Sequence, residues 1–198
     1  MIGYGRISEK MTDFNLVKTQ LEGAYLISPF CIGDNRGGFV KIFEHQIYSE
    51  AGINFQLSET FASVSAKNVI RGMHFQLNRP QAKLVSVLKG SVYDIIVDLN
   101  MKSRTYKMWQ GFELSEENHN VLYVPRGFAH GFMSMSDGAC MLYQCDGKYD
   151  KETDTGIRYD DRDLNIIWPT DCIDNCIHSQ RDLELMTLSE YEQNPMRL

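Results

Sequence analysis

Short apolar and alternating stretches, separated by turn residues, run along most of the chain between Ala24 and Cys145. A repeat of two is the signature of strands that bury one face, and runs of four to eight such residues between turns predict strands. They are predicted at 24–28 (stopped by Pro29), 39–43, 59–65, 83–88, 91–99, 107–114, 120–124, 130–135 and 140–145. Residues 71–90 read as strand–turn–strand, and Lys89-Gly90 reads as a hairpin turn. Helical signals are few. Residues 44–52 predict one short helix and 115–118 a single turn. A capped C-terminal helix is predicted over 179–193, opening on Ser179 with Asp182 three residues later and leucines at 183, 185 and 188. Residues 1–15 read as a loose lead-in and 16–198 as a single domain. The prediction is an all-β sandwich or barrel with a few short helices.

Bulk properties narrow the function. The 198 residues are enough for one sizeable core. A net charge of −6 argues against a general nucleic-acid binder but not against a local basic pocket for a small phosphate. The five cysteines include no Cys-x-x-Cys pair, and Cys172 and Cys176 read as late-loop thiols. Without a visible leader, this favours reduced thiols and a cytoplasmic protein. No apolar run approaches the ~20 residues of a membrane span.

The candidate chemistry lies in two stretches, Arg71-Gly-Met-His-Phe-Gln76 with Lys83, and Pro125-Arg-Gly-Phe-Ala-His130. A small barrel would point their histidines and lysine inward. Gly72 reads as a place where a ligand approaches the backbone closely. A lone barrel histidine is more often a satisfied core residue; with Arg71, Lys83 and His130 in the same barrel, the reading turns to function. His74 suits a general base near neutral pH and needs a partner to fix its tautomer, for which Asp182 is a candidate. An inward Lys83 needs an anionic or oxyanionic partner, such as a developing enolate. Tyr143 or Tyr149 could be a general acid, and position alone does not choose between them. Arg36 and Arg71 could bind a diphosphate, although Asp34 with Arg36 could equally be a turn pair. Arg158, Asp160 and Asp161 read as a solvated face.

The two stretches have the spacing of the half-motifs of a cupin barrel. Many cupins hold a metal through His-x-His, Glu and a later His; here the series is His74, Gln76, Lys83 and His130. A cation among the ligands disfavours a divalent ion. Longer motifs extend the likeness: Gly33-Asp-Asn-Arg-Gly37, Val69-Ile-Arg-Gly-Met-His-Phe-Gln76, Lys83-Leu-Val-Ser-Val-Leu-Lys-Gly-Ser-Val-Tyr-Asp94, Tyr123-Val-Pro-Arg-Gly-Phe-Ala-His-Gly-Phe132 and Ile167-Trp-Pro169. On these motifs the chain resembles the dTDP-4-dehydrorhamnose 3,5-epimerase family from about Gly23 to Asp182.

The resemblance implies a cupin jelly-roll, a homodimer with exchanged N-terminal strands, and an epimerase without metal or organic cofactor acting on a nucleotide-linked 4-keto sugar. It implies His74 as base, Asp182 of Ser179-Gln-Arg-Asp182 as its orienter, Tyr143 as acid and Lys83 as the pocket lysine. Arg36, Arg71, His130 and Tyr149 match residues that contact the substrate. Four family contact positions differ here, at Ile32, Lys41, Glu59 and Phe61, where the family usually has Phe, Glu, Gln and Asn. Lys41, Glu59 and Phe61, with Gln76, are counted among the expected substrate-binding residues. The departures leave the nucleotide and the sugar, hexose or heptose, open. The number of inverted centres is open too. A non-catalytic nucleotide-sugar-binding cupin is the alternative of a different class.

Overall fold

The structure, a computed structural model, describes residues 13–169 and 176–193. Cys172 and most of the lead-in lie outside the described residues. Two antiparallel sheets face each other. The first has six strands in the order β1 (Asn15–Lys18), β2 (Tyr25–Ser28), β10 (Val121–Val124), β7 (Lys83–Lys89), β12 (Ala139–Cys145) and β5 (Glu59–Ser65). The second has five: β13 (Asp154–Gly156), β6 (Ile70–Gln76), β11 (Phe128–Ser134), β8 (Ser91–Asp98) and β9 (Trp109–Ser115). A separate two-stranded ribbon joins β3 (Phe30–Asp34) to β4 (Gly37–Lys41). The mostly β fold with short helices is the cupin jelly-roll class expected from the sequence.

Alternation sets the layers. Val85, Val87, Met141 and Tyr143 of the first sheet meet Val92, Ile96, Phe128 and Phe132 of the second in one buried cluster. Side chains of opposite parity point outward and are covered in turn. Helix α1 (His45–Glu50) lays Tyr48 against Ile27, Leu84 and Val121, and the Tyr48 hydroxyl donates to the Ile42 carbonyl at 2.7 Å. On the far side Ile157, Leu164, Trp168, Leu188 and Tyr191 cover Met73, Phe75, Ile95 and Ala129. Full burial of each such side chain stabilises by roughly 1.5–3 kcal/mol. The C-terminal third is therefore a lid of the second sheet, although it contains little regular structure.

Several expectations need correction. Lys89-Gly90 is no hairpin. Both edges of β7 are occupied, by β10 and β12, so the chain crosses there from one sheet to the other. The predicted helix over 179–193 is two helices, α2 (Gln180–Leu183) and α3 (Leu188–Gln193). The Ser179 cap holds, its hydroxyl accepting from the Asp182 N–H at 3.0 Å. A bridge between Met186 and Ile157 then pulls the chain out of helical geometry. Pro29 does not end the extended run; β3 follows it directly. Asp161 is no solvated surface group. It is buried, and its carboxylate accepts the N–H groups of Asp163, Leu164 and Leu188. Among the described residues no helix is long and apolar enough to cross a membrane.

Candidate active site

β6 supplies His74, and β11 supplies His130 directly across the ladder from it. Register partners point to one face, so both imidazoles look inward. The strands come unusually close beside them. A Cβ on Gly72 would lie 2.5 Å from the Gly131 Cα, and one on Gly131 would lie 2.7 Å from the Arg71 carbonyl. Gly72 thus admits the neighbouring backbone where the sequence suggested a ligand.

His74 Nε2 lies 2.7 Å from Asp182 Oδ1, and Asp182 is 4% exposed. Burial pushes the Asp182 carboxyl up. The His74 hydrogen bond and charge, the Ser179 hydroxyl and the Gly72 N–H outweigh it and hold the pKa below the usual carboxylate value. An ionised Asp182 accepts the Nε2–H and leaves Nδ1 as the ring atom able to take a proton. α2 exists to deliver this carboxylate: Ser179 caps it, and Asp182 occupies its first turn.

His130 has its own carboxylate. Its Nε2 lies 2.9 Å from Asp94 Oδ2 and 3.1 Å from Oδ1, and Asp94 is fully buried on β8. Burial raises the Asp94 pKa, while His130 and Lys83 oppose that rise. The sequence reading gave Asp94 no role. The available signal was a carboxylate at inward parity between Val92 and Ile96, which demands a partner.

Lys83 enters from the opposite sheet. Enough protein surrounds it for burial to lower its pKa, while Cys145, Asp154 and Asp94 favour its charge. Tyr143 stands on the neighbouring strand β12, 8% exposed, its ring centroid 6.0 Å from that of His130. Burial pushes its phenol well above the ordinary tyrosine value, with Ser63 and Arg71 pulling the other way. Arg71 reaches over β5 and donates to Ser65 Oγ at 3.1 Å.

The rim is built from other residues. Tyr149 is half exposed, its hydroxyl donating to Asp154 at 3.1 Å and its N–H to Glu59 at 2.7 Å. Arg181 also bonds Asp154, at 2.6 Å. Gln76 is buried. Its amide donates to the Arg79 and Lys148 carbonyls and accepts from the Asp150 N–H, which clips two rim loops together. Arg36 and Lys41 stand apart, on the β3–β4 ribbon, paired with Asp34 and Glu44 respectively. Among the described residues no three His, Cys, Asp or Glu side chains form a metal-binding group.

A partly open base–carboxylate dyad, a second histidine on the adjacent strand, and a lysine and a buried phenol on the facing sheet are groups that can move protons on and off carbon next to a carbonyl. A family model described as dTDP-4-dehydrorhamnose 3,5-epimerase matches residues 18–190. The dTDP-4-dehydrorhamnose 3,5-epimerase of Methanothermobacter thermautotrophicus is 40% identical, covering 95% of this chain and 100% of that one. A dTDP-4-dehydrorhamnose 3-epimerase of Streptomyces niveus is 36% identical over 86% of this chain and 82% of its own. The solved dTDP-6-deoxy-D-glucose-3,5-epimerase of Legionella pneumophila, in complex with dTDP-4-keto-L-rhamnose, superposes with a TM-score of 0.88. It is 35% identical, covering 93% of this chain and 98% of that one. With this match spanning nearly the whole described fold, the chain belongs to the dTDP-4-dehydrorhamnose 3,5-epimerase family.

Proposed function

We propose that the protein inverts C3 and C5 of a dTDP-linked 4-keto-6-deoxyhexose through an enolate. The ketone at C4 acidifies the protons on both neighbouring carbons and serves as the electron sink. His74, with Nε2–H given to Asp182, accepts the carbon proton on Nδ1. Lys83 balances charge developing on the C4 oxygen. Tyr143, from the other sheet, returns a proton to the opposite face, which inverts the centre. His130 and Arg71 bind substrate within the cavity, and Tyr149 and Glu59 do so at its rim. Gln76 acts by holding the rim loops.

The observation that carries this reading is the His74–Asp182 pair at 2.7 Å, across the ladder from a His130 whose ring lies 6.0 Å from that of the buried Tyr143. A binding protein has no need of an oriented base opposite an acid. The nearest second reading is inversion of C3 alone, favoured by the similarity to a 3-epimerase.

The ribbon bearing Arg36 and Lys41 pairs with neither sheet, and it exposes Ile32 and Phe39. This supports a homodimer in which exchanged N-terminal strands carry Arg36 and Lys41 to the partner's site. Light scattering on the purified protein tests that, and a strict monomer at micromolar concentration would overturn it.

Proton NMR in D2O with dTDP-4-keto-6-deoxyglucose tests the chemistry. Deuterium entering at both C3 and C5 is expected. Entry at C3 only selects the second reading, and no entry with folded protein rejects the epimerase assignment.

A further inference from the structure

Tyr143 is gripped by one face of the edge strand β5. Phe61 is its register partner, and the two rings stack in parallel with centroids 4.7 Å apart and planes 13° apart. Two residues on, at the same parity, Ser63 turns a buried hydroxyl towards the phenol and lowers its pKa. Phe61 itself is 49% exposed, on the outermost strand of its sheet. Its ring therefore gains little from its own burial. That ring lies flat against the face of Tyr143. A phenol flanked by a parallel ring loses freedom about its side-chain torsions and is shielded from water on that side.

We infer that Phe61 is a positioning residue for the acid step: it fixes the orientation of Tyr143, so that the enolate is reprotonated from the inverting face. This rests on the reading of Tyr143 as acid. It differs from a cross-strand pair that merely stabilises the sheet, because it predicts separate effects on the two proton transfers. Removal of the substrate proton belongs to His74 on the other sheet. Delivery belongs to Tyr143 alone.

The test follows substrate deuteration and product formation together in D2O. Phe61→Ala should lower inversion roughly tenfold or more, as expected when a reacting group loses its geometry. Deuterium entry into substrate should stay within about threefold of wild type, since that step is unaltered. Phe61→Tyr, which keeps a ring in place, should retain both rates. In a Tyr143→Phe background, Phe61→Ala should cause no further loss of inversion. Equal loss of exchange and inversion, no loss of either, or a further loss without Tyr143 would overturn the inference. A readout independent of turnover is the titration of Tyr143 by NMR with ring-labelled tyrosine. Phe61→Ala should shift it towards the ordinary tyrosine range, and an unmoved titration rejects the positioning role. If wild-type protein exchanges no keto sugar, the epimerase reading fails and the inferred role in catalysis fails with it. Failure of the variants alone leaves the epimerase reading intact.

Discussion

His74 and His130 are register partners on adjacent strands, yet each is tied to a different carboxylate. His74 bonds Asp182 from the short helix α2, and His130 bonds Asp94 from the neighbouring strand β8. Only the first dyad is partly open: the His74 side chain is 27% exposed and that of His130 is 4% exposed. On the proposed mechanism the base must meet substrate, which fits the His74 pair as the working dyad; the His130 pair is a buried support behind the substrate contact proposed for His130.

Asp182→Asn tests the working dyad. The amide keeps the shape but loses the charge that fixes the imidazole tautomer. Turnover should fall on the order of 10²–10⁴-fold, the range of an oriented acid–base group. The same residue predicts a pH effect on stability. Its folded pKa lies below the unfolded value of about 3.9. Its contribution is therefore present above that unfolded value and is lost as the pH falls through the lower folded one. Urea unfolding of wild type and Asp182→Asn should show a gap at pH 6 that closes towards pH 3.

Asp94→Ala tests the buried support. It strips His130 of its partner and takes a neighbouring charge from Lys83 in the protein interior. Breaking such a buried pair costs about 3–5 kcal/mol. Asp94→Asn, which keeps an acceptor for Nε2–H, should lose less. A midpoint in urea for Asp94→Ala equal to wild type would remove the pair from the stability of the fold.

Lys83 and Tyr143 can be told apart by the alkaline limb of the rate profile. Burial lowers the Lys83 pKa from 10.5 and raises that of Tyr143 from 10.0. As pH rises, the lysine cation is lost first, while the phenol keeps its proton. The limb should therefore lie below the usual lysine range and move upwards in Lys83→Arg. In Tyr143→Phe the residual rate should keep the limb in place. A limb that disappears in Tyr143→Phe would assign it to the phenol instead.

Gly131→Ala probes the close approach of β6 and β11. The new methyl would meet Met73 Sδ at 2.6 Å and the Arg71 carbonyl at 2.7 Å. Overpacking of this kind costs about 1–3 kcal/mol and forces the strands apart. Because the displaced strand carries His74, turnover should fall by more than the loss of folded protein explains. Thermal unfolding and kcat, measured together, check both effects.

The sequence by itself determined the strands. Short apolar, mixed or alternating runs between turn residues marked β4, β5, β7, β8, β10 and β12 as strands. The inward parity of His74, Lys83 and His130 follows from the same arithmetic, and the Ser179 cap that sets Asp182 is a local hydrogen bond. Membership of the family was also legible, because its motifs are local strings of residues. What the sequence could not decide were partners far apart along the chain. β7 and β8 are separated by one residue yet belong to different sheets, because β10 and β12 already hold both edges of β7. Asp94 became a site residue only when β8 paired with β11 and brought His130 to it. The helix expected over 179–193 divided because Met186 gained a bridge to Ile157, just beyond β13. Phe61, read as a substrate contact, met Tyr143 through the register of β5 against β12. Local periodicity records which face of a segment is buried. It carries no record of which other segment buries it, and that choice belongs to the packing of the whole chain.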